Sequence, residues 1–316
     1  MKYSFVLPAY KATFLREAID SILNQTYKDF ELIIVNDASP EDLTSIVNSY
    51  QDERIQYYVN EKNVGGTDLV AQWNHCITYA IGEYLILASD DDVYHPDYLE
   101  KMDVLVDKYP KVNIFRPRVE YIDSNSNLIK MIDPHGRDMS QLEYTLLLRR
   151  NEISSGIPFY IFRRSLLMNM GGFINFPLAW FSDDATAIRL SKDGIVLHDD
   201  VLFSFRMSGV NISSTRSNYT SLLKKLSATD SFYNWLADEA KTIVGLKEHE
   251  ELDPSRLNRS RLGHMIWLIC RSRRRVMLFS WFILGKIKSL KSSERLFICR
   301  RVFSSWFFNL PPYRNN

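Results

Sequence analysis

Three consecutive aspartates, Asp90-Asp91-Asp92, are the feature of this sequence with the clearest chemical potential. They follow a short apolar run, residues 84–88, that is typical of a buried strand in a parallel sheet. Pro96 then favours the first turn of a new helix. Because adjacent carboxylates repel one another, a strand end carrying three of them favours a nearby hard divalent cation completed by phosphate oxygens. The alternative is a solvated acidic loop that caps the next helix.

A second pair of acids, Asp183 and Asp184, lies at the start of a predicted helix that extends to about residue 192, with Ser182 as its N-cap. A carboxylate in this position could act as a general base and remove a proton from a hydroxyl group. Two acids at a helix N-terminus also interact favourably with the helix dipole without any catalytic role. Both interpretations remain open at this point.

The elements that must position these acids alternate regularly through the first hundred residues. Strands are predicted at residues 3–7, 31–36, 55–59 and 84–88, and helices at residues 15–23 and 69–80. This alternation indicates an α/β fold with a parallel sheet and right-handed crossovers. Ligands of such sheets collect at the carboxyl ends of the strands. The chain places Pro8-Ala9-Tyr10, Asn36-Asp37 and the three aspartates at those ends.

The pattern changes after residue 100. A hairpin is predicted at residues 119–131, and a loop at residues 154–158 precedes a strand at residues 159–162. Further helices are predicted at residues 141–149 and 164–170, and from residue 219 onward the pattern is mostly helical. We therefore expect an α/β domain over residues 1–217 and a helical region over residues 218–316.

Composition and charge exclude several classes of protein. The 316 residues are 46% hydrophobic and 24% charged, as in an ordinary globular protein. The three cysteines have no spacing typical of a disulfide framework or a zinc site, which suits a reducing compartment. A strand-like run begins almost at Met1, so we expect no secretory signal. No apolar run approaches the roughly 20 residues that span a bilayer.

The net charge of +1 conceals a strongly basic C-terminal region. From residue 256 to residue 316 there are 14 lysines and arginines and one acid, Glu294. Helices with interleaved aromatic and basic residues suit an anionic membrane surface. Nucleic acid would attract the same charge, but no nucleic-acid-binding motif is present, and a helical bundle packed on the rest of the chain is the alternative. The residues concerned are Trp267, Trp281, Phe282, Phe297, Trp306, Phe307 and Phe308, with Arg271, Arg273, Arg274, Arg275, Lys286, Lys288, Arg300 and Arg301.

Seven sequence elements, in this order, resemble glycosyltransferase family 2, whose members are inverting enzymes with the GT-A fold. They are residues 5–10, 30–39, 60–65, 73–76, 82–84, 89–97 and 162–173. The resemblance covers residues 2–214. Each element alone is weak evidence for the family, and the specificity comes from the order of all seven along the chain. It implies a Rossmann-like, mostly parallel sheet flanked by helices, with a helical, basic C-terminal extension. Residues 1–100 would form the nucleotide-binding half and residues 101–217 the acceptor half.

The resemblance also implies roles for individual residues. Asp90 would contact the donor ribose, Asp91 would bind Mn²⁺ or Mg²⁺, and Asp92 would be a second or alternative ligand. Asp37 would accept the imide N–H of a uracil ring, although it could instead cap a helix starting near Glu41. The remaining donor-binding residues would be Pro8, Ala9, Tyr10 and Asn63, of which Tyr10 could also be a surface aromatic.

Two departures from the family pattern bear on the chemistry. Many members carry Ala-Arg-Asn where this chain has Gln72-Trp73-Asn74, so the diphosphate would depend on Arg206 or another base. Arg206 would lie on a mobile loop that closes over the donor, or be an ordinary surface residue. In the family's Glu-Asp segment the Asp precedes a helical Arg by six positions, which favours Asp183 over Asp184 as the base.

The resemblance therefore implies a metal-dependent inverting glycosyltransferase. It would move a sugar from a nucleotide donor, UDP-linked, to a hydroxyl of a growing glycan or lipid-linked acceptor, in bacterial surface-polysaccharide assembly. The enzyme would be peripheral on the cytoplasmic face of the membrane. A nucleotidyltransferase of related fold is one alternative, but its Gly-rich basic loop is missing after the first strand. A non-catalytic protein that binds sugar nucleotides is another.

Overall fold

The computed structural model describes residues 1–131, 133–207, 217–245, 252–272 and 279–308. The chain forms two compact units. The sheet unit comprises Met1–Asn175 and Ser182–Asn211, and the helical unit comprises Phe176–Phe181 and Ile212–Asn316. The short segment Phe176–Phe181 therefore belongs to the helical unit although both of its chain neighbours belong to the sheet unit.

Strands of the sheet unit form one mixed sheet in the order β3-β2-β1-β4-β9-β6-β10-β5, with β7 paired to β6 and β8 paired to β10. The neighbours β3, β2, β1 and β4 are mutually parallel. β1 and β2 are buried almost throughout, as expected of parallel strands covered on both faces. The α/β sheet predicted from the sequence is confirmed. The strands are β1 Tyr3–Ala9, β2 Phe30–Asn36, β3 Ile55–Val59, β4 Tyr84–Leu87, β5 Val93–Tyr94, β6 Ile114–Ile122, β7 Leu128–Met131, β8 Arg137–Met139, β9 Ile161–Arg163 and β10 Ile195–Arg206.

The helices of the sheet unit follow the apolar periodicity of the sequence, with differences at several ends. The helix predicted at residues 69–80 ends at Cys76 and is followed by a 3₁₀ turn, Ile77–Tyr79. Asp42 caps α2 by accepting a hydrogen bond from the Ser45 N–H, so the helix begins later than expected. Ser182 lies inside the first turn of α7 and is not its N-cap. The helices are α1 Leu15–Leu23, α2 Leu43–Asn48, α3 Leu69–Cys76, α4 Tyr98–Lys108, α5 Gln141–Arg150, α6 Arg164–Asn169 and α7 Ser182–Leu190.

A fully buried ion pair connects β6 to the segment between β7 and β8. The Arg116 guanidinium lies 2.5 Å from the Asp133 carboxylate. Asp133 also accepts hydrogen bonds from the backbone N–H groups of Val119 and Ser154, both at 2.9 Å. These donors satisfy the buried charge and fix the position of Ser154 and its neighbour Ser155.

The helical unit contains α8 Tyr219–Glu239, α9 Pro254–Cys270, α10 Ser280–Gly285 and α11 Ser292–Phe308. Its apolar core includes Leu226, Ile269 and Ile298. Arg261 of α9 lies between Asp230 of α8 and Glu294 of α11, at 2.9 and 3.1 Å. Within the described ranges, no helix has both the length and the apolar character needed to cross a membrane.

The segment Phe176–Phe181 contributes aromatic rings to the helical unit. Phe181 stacks on Phe232 with ring centroids 4.4 Å apart, and Phe176 meets the edge of the same ring at 6.1 Å. Trp180 lies beneath the Lys225 ammonium at 4.5 Å. These contacts explain why the segment clusters with the helices and not with the sheet.

We expect Arg116→Met to lower the free energy of unfolding by about 3–5 kcal/mol, because Asp133 would remain buried without its cation. Arg118→Met is the matched control, since Arg118 is less buried and, among the described residues, donates to the Asp199 carbonyl at 3.3 Å. The control should lose less than about 1 kcal/mol. Urea denaturation measures both, and equal losses would contradict a special role for the buried pair.

Candidate active site

The carboxyl ends of β1, β2 and β4 meet, and hydrogen bonds connect the loops that follow them. The Asp90 carboxylate accepts the backbone N–H groups of Tyr10 and Lys11, both at 2.8 Å. The Asp37 N–H donates to the Ala9 carbonyl at 3.0 Å. Burial raises the pKa of Asp90, although the two backbone donors oppose this shift. The structure thus brings together the strand-end residues predicted from the sequence.

Asp92 is enclosed by protein, and each of its carboxylate oxygens has a partner. One accepts the Ser89 hydroxyl and the other accepts the Arg206 backbone N–H at 2.8 Å. Burial, with repulsion from Asp91, raises the pKa of Asp92 well above its ordinary value. These contacts favour a supporting role for Asp92 within the acidic loop.

Arg206 lies at the end of β10 and is completely buried, whereas the sequence suggested a mobile loop or an exposed surface. Residues 208–213, which would complete that loop, are outside the described ranges. The guanidinium donates to the Asp91 carbonyl at 2.8 Å and pairs with Glu17 at 2.7 Å. It also contacts the hairpin between β6 and β7, through the Asp123 carbonyl at 3.2 Å and the Ser126 hydroxyl at 3.0 Å. Arg206 therefore fastens the acidic loop to α1 and the hairpin.

Asp37 is almost fully buried and organises the loop formed by residues 60–66. Its Oδ1 accepts the Asn60 side-chain amide at 2.8 Å and the Val64 N–H at 2.9 Å, and its Oδ2 accepts the Gly65 N–H at 2.7 Å. Asn63 lies in this loop and accepts the Gly66 N–H. The helix-cap alternative for Asp37 is wrong, because Asp42 caps α2.

The sequence elements around Trp73 and Gly172 prove to be one packing unit. The Asn74 side chain accepts the Phe173 N–H at 2.7 Å and donates to the Phe173 carbonyl at 3.1 Å. Trp73 meets the Phe173 ring edge-on at 5.9 Å. Gly172 has a φ of +90°, and a Cβ there would lie 2.3 Å from the Asn74 side chain. These contacts indicate that Trp73 is a packing residue.

Asp183 and Asp184 form a second acidic cluster in the first turn of α7. The Asp184 N–H donates to the Asp183 carboxylate at 3.0 Å. Both side chains keep some exposure, yet the dense protein around them raises the pKa of both carboxyls. Repulsion from Asp184 adds to the shift at Asp183, whereas a hydrogen bond from Ser155 opposes it at Asp184.

Ser155 is a site residue that the sequence did not indicate. Its hydroxyl lies 3.1 Å from the Tyr160 hydroxyl, which in turn lies 2.5 Å from the Tyr144 hydroxyl. The sequence signal was limited to a loop at residues 154–158, because no local pattern indicates contact with a distant helix. The backbone before α7 is also unusual, since Leu178, Ala179 and Phe181 all have positive φ. Such conformations persist where the surrounding structure enforces them.

The chain is similar in sequence to known proteins. The sequence profile of Glycosyl transferase family 2 matches residues 4–171. An uncharacterized glycosyltransferase of Rickettsia typhi is 29% identical over 235 residues, covering 71% of this chain and 72% of the relative. An uncharacterized glycosyltransferase of Methanocaldococcus jannaschii is 35% identical over 124 residues, covering 38% of this chain and 42% of the relative.

Solved structures show the same fold. S. aureus TarS 1–349 in complex with UDP-GlcNAc has a TM-score of 0.68 at 17% identity, covering 100% of this chain and 94% of that chain. The complex of the same protein with UDP has a TM-score of 0.63 at 16% identity. This likeness confirms the GT-A type of α/β fold predicted from the sequence.

We expect Asp37→Ala to lower the free energy of unfolding by about 1–3 kcal/mol, because the partly buried N–H groups of Val64 and Gly65 would lose their acceptor. Asp42→Ala removes an exposed helix cap and should cost less. Urea denaturation of the two variants tests this order. If Asp42→Ala proved the more damaging change, the role of Asp37 in organising the loop would be refuted.

Proposed function

The chain belongs to glycosyltransferase family 2, and from this premise we propose that it transfers a sugar, with inversion, from a UDP-linked donor to a hydroxyl of a glycan or lipid-linked acceptor. The observation that carries the proposal is the hydrogen-bonded junction of Asp90 with the Tyr10 loop at the carboxyl ends of β1 and β4. The complexes of TarS with UDP-GlcNAc and UDP support a nucleotide-sugar donor. Family membership favours glycosyl transfer over nucleotidyl transfer and over a non-catalytic role.

The donor nucleotide would lie along the strand ends. Tyr10 is 41% exposed, so its ring is available to border the nucleotide. The Asp37 oxygens retain lone pairs beside the hydrogen bonds that they accept, and one of these could receive the imide N–H of uracil. Asp90 would contact the ribose, while Pro8, Ala9 and Asn63 would complete the walls of the nucleotide site.

We assign the metal-binding position to Asp91. Its backbone carbonyl is fixed by Arg206, and the neighbouring Asp92 is fixed by Ser89 and the Arg206 N–H, so the loop presents Asp91 in one conformation. Among the residues that the structure describes there is no cluster of three acidic, histidine or cysteine side chains that could hold a metal. Proteins often hold Mg²⁺ or Mn²⁺ through one or two carboxylates together with donor phosphates, and Asp91 would supply such a carboxylate here. When bound, such an ion stabilises the charge of the departing diphosphate.

The acidic pair on α7 would supply the general base. Repulsion from Asp184 raises the pKa of Asp183, so the two carboxyls would titrate as a pair that holds one proton and one charge near neutral pH. The Ser155 hydrogen bond favours the charge on Asp184, whereas the spacing to Arg189 favoured Asp183 as the base. We propose Asp184 as the ionised member that accepts the proton of the acceptor hydroxyl, with Asp183 holding the shared proton.

The setting of the reaction would be surface-polysaccharide assembly at the cytoplasmic face of a bacterial membrane. The strongly basic residues 256–316 support this location, because anionic lipids attract clustered lysines and arginines. A lipid-linked acceptor would give the enzyme a reason to work at that surface.

Asp91→Ala should abolish the metal-dependent part of UDP binding, because the loop would lose its metal ligand. Calorimetric titration with UDP, with and without Mn²⁺, measures this part directly. Asp107→Ala, which removes a 70% exposed carboxylate, is the control and should bind as the parent does. Undiminished manganese-dependent binding by the Asp91 variant would exclude the assignment.

Asp184→Asn should reduce sugar transfer by about 10²–10⁴-fold without loss of donor binding. Asp183→Asn should lose less activity and leave the acidic limb of the pH–rate profile nearly unchanged. Repulsion from Asp184 raises the pKa of Asp183, so Asp184 ionises while Asp183 is still protonated, and a neutral amide in place of Asp183 removes no charge that opposes this ionisation. If Asp183→Asn abolishes turnover instead, Asp183 is the base, as the spacing to Arg189 indicates.

A further inference from the structure

The last two helices of the helical unit expose an unusual amount of aromatic surface. Phe279, Trp281 and Phe282 are 56%, 47% and 70% exposed at and within α10. On α11, Leu296 and Phe303 are 44% and 56% exposed. Large apolar side chains in such density on a protein surface mark an interaction site.

Basic side chains accompany these aromatic residues. Leu296, Arg300 and Phe303 recur at the spacing that places residues on one side of a helix. The exposed cations of residues 279–305 are Lys286, Lys288, Lys291, Arg300 and Arg301. Their only acid, Glu294, is already paired with Arg261 at 3.1 Å. The surface is therefore both apolar and positively charged.

α10 and α11 lie beside each other, since the Ser280 hydroxyl is 3.7 Å from the Cys299 thiol. Their inner sides, including Ile283, Leu284 and Ile298, are buried in the core of the unit. These packing contacts are internal to the helical unit, and the outer residues named above are exposed. Arg273, Arg274 and Arg275 lie outside the described residues, as do the side chains of Trp306, Phe307 and Phe308.

We propose that this aromatic–basic face, formed by Phe279, Trp281, Phe282, Leu296, Phe297, Arg300 and Phe303 with the neighbouring lysines, inserts into the headgroup region of an anionic membrane. The inference deepens the membrane location proposed above by naming the surface that makes the contact. Aromatic rings partition into the interface between headgroups and acyl chains, while lysine and arginine bind anionic phosphates. Within the described residues neither helix is long and apolar enough to cross a bilayer, and in the proposed contact both lie along its surface.

Charge favours an anionic membrane over a second copy of the chain as the partner of this face. In a two-fold dimer the same patch would meet itself, so that its cations would face cations across the contact. An anionic lipid surface neutralises them instead. The exposed aromatic rings also favour a phase with an apolar interior over simple ion pairing.

Flotation of the full chain with vesicles tests the apolar part of this contact. The parent should bind phosphatidylcholine vesicles that contain phosphatidylglycerol, and binding should fall sharply without phosphatidylglycerol or in high salt. Phe282→Glu should reduce binding roughly tenfold, because a charge would replace the most exposed ring. Val104→Glu changes a residue that is 65% exposed in the sheet unit and should bind as the parent does.

A charge-reversal pair tests the electrostatic part. Lys288→Glu with Arg300→Glu should weaken binding to the anionic vesicles roughly tenfold or more. Lys111→Glu with Lys192→Glu makes the same change in net charge at exposed positions of the sheet unit and should have little effect. Equal losses in the two double variants would overturn the proposal, since only net charge would then matter.

Two further outcomes would also overturn it. One is binding by Phe282→Glu equal to that of the parent. The other is a concentration-dependent dimer that Phe282→Glu dissociates, with no flotation of the parent, which would assign the face to a second copy. Release of UDP from sugar nucleotides without vesicles should be equal in all these variants. A parent that floats but releases no UDP from any sugar nucleotide would contradict the proposed function and leave the membrane contact standing.

Discussion

A buried charge needs partners, and this requirement shapes the end of strand β4. Three aspartates in a row could not remain folded there without donors, because desolvated carboxylates are costly. Arg206 provides the backbone N–H for Asp92, and its guanidinium holds the Asp91 carbonyl. Backbone N–H groups of the Tyr10 loop donate hydrogen bonds to the Asp90 carboxylate. The acidic loop is thus held in place by hydrogen bonds from other segments, namely from Arg206 at the end of β10 and from the backbone that follows β1.

Much of the central sheet could be predicted because β1 and β2 are buried on both faces. Such strands appear in a sequence as continuous apolar runs, and β2, predicted at residues 31–36, is buried throughout Phe30–Asn36. The meeting of Tyr10 and Asp90 followed from topology, since neighbouring parallel strands end at the same edge. Helix periodicity similarly placed α1 at Leu15–Leu23.

Contacts between distant segments were harder to predict. Arg206 has no local pattern that reveals its burial, because each of its partners comes from another part of the chain. The same holds for Ser155 beside Asp184. The cap of α2 was hard to predict for a different reason. Both Asp37 and Asp42 precede the helix, and the hydrogen bond from the Ser45 N–H identifies Asp42 as the cap. Local propensity restricts such choices, and tertiary packing decides them.

The segment Phe176–Phe181 has a consequence for biosynthesis. A ribosome releases these residues well before α8 and α9 exist, so the nascent sheet unit carries Phe176, Trp180 and Phe181 before their partners are made. Exposed rings of this kind invite chaperones and aggregation. A fragment cut at residue 211 would lack α8, so Phe176 and Phe181 would lose the Phe232 ring that they contact, and we expect such a fragment to aggregate more readily than the full chain.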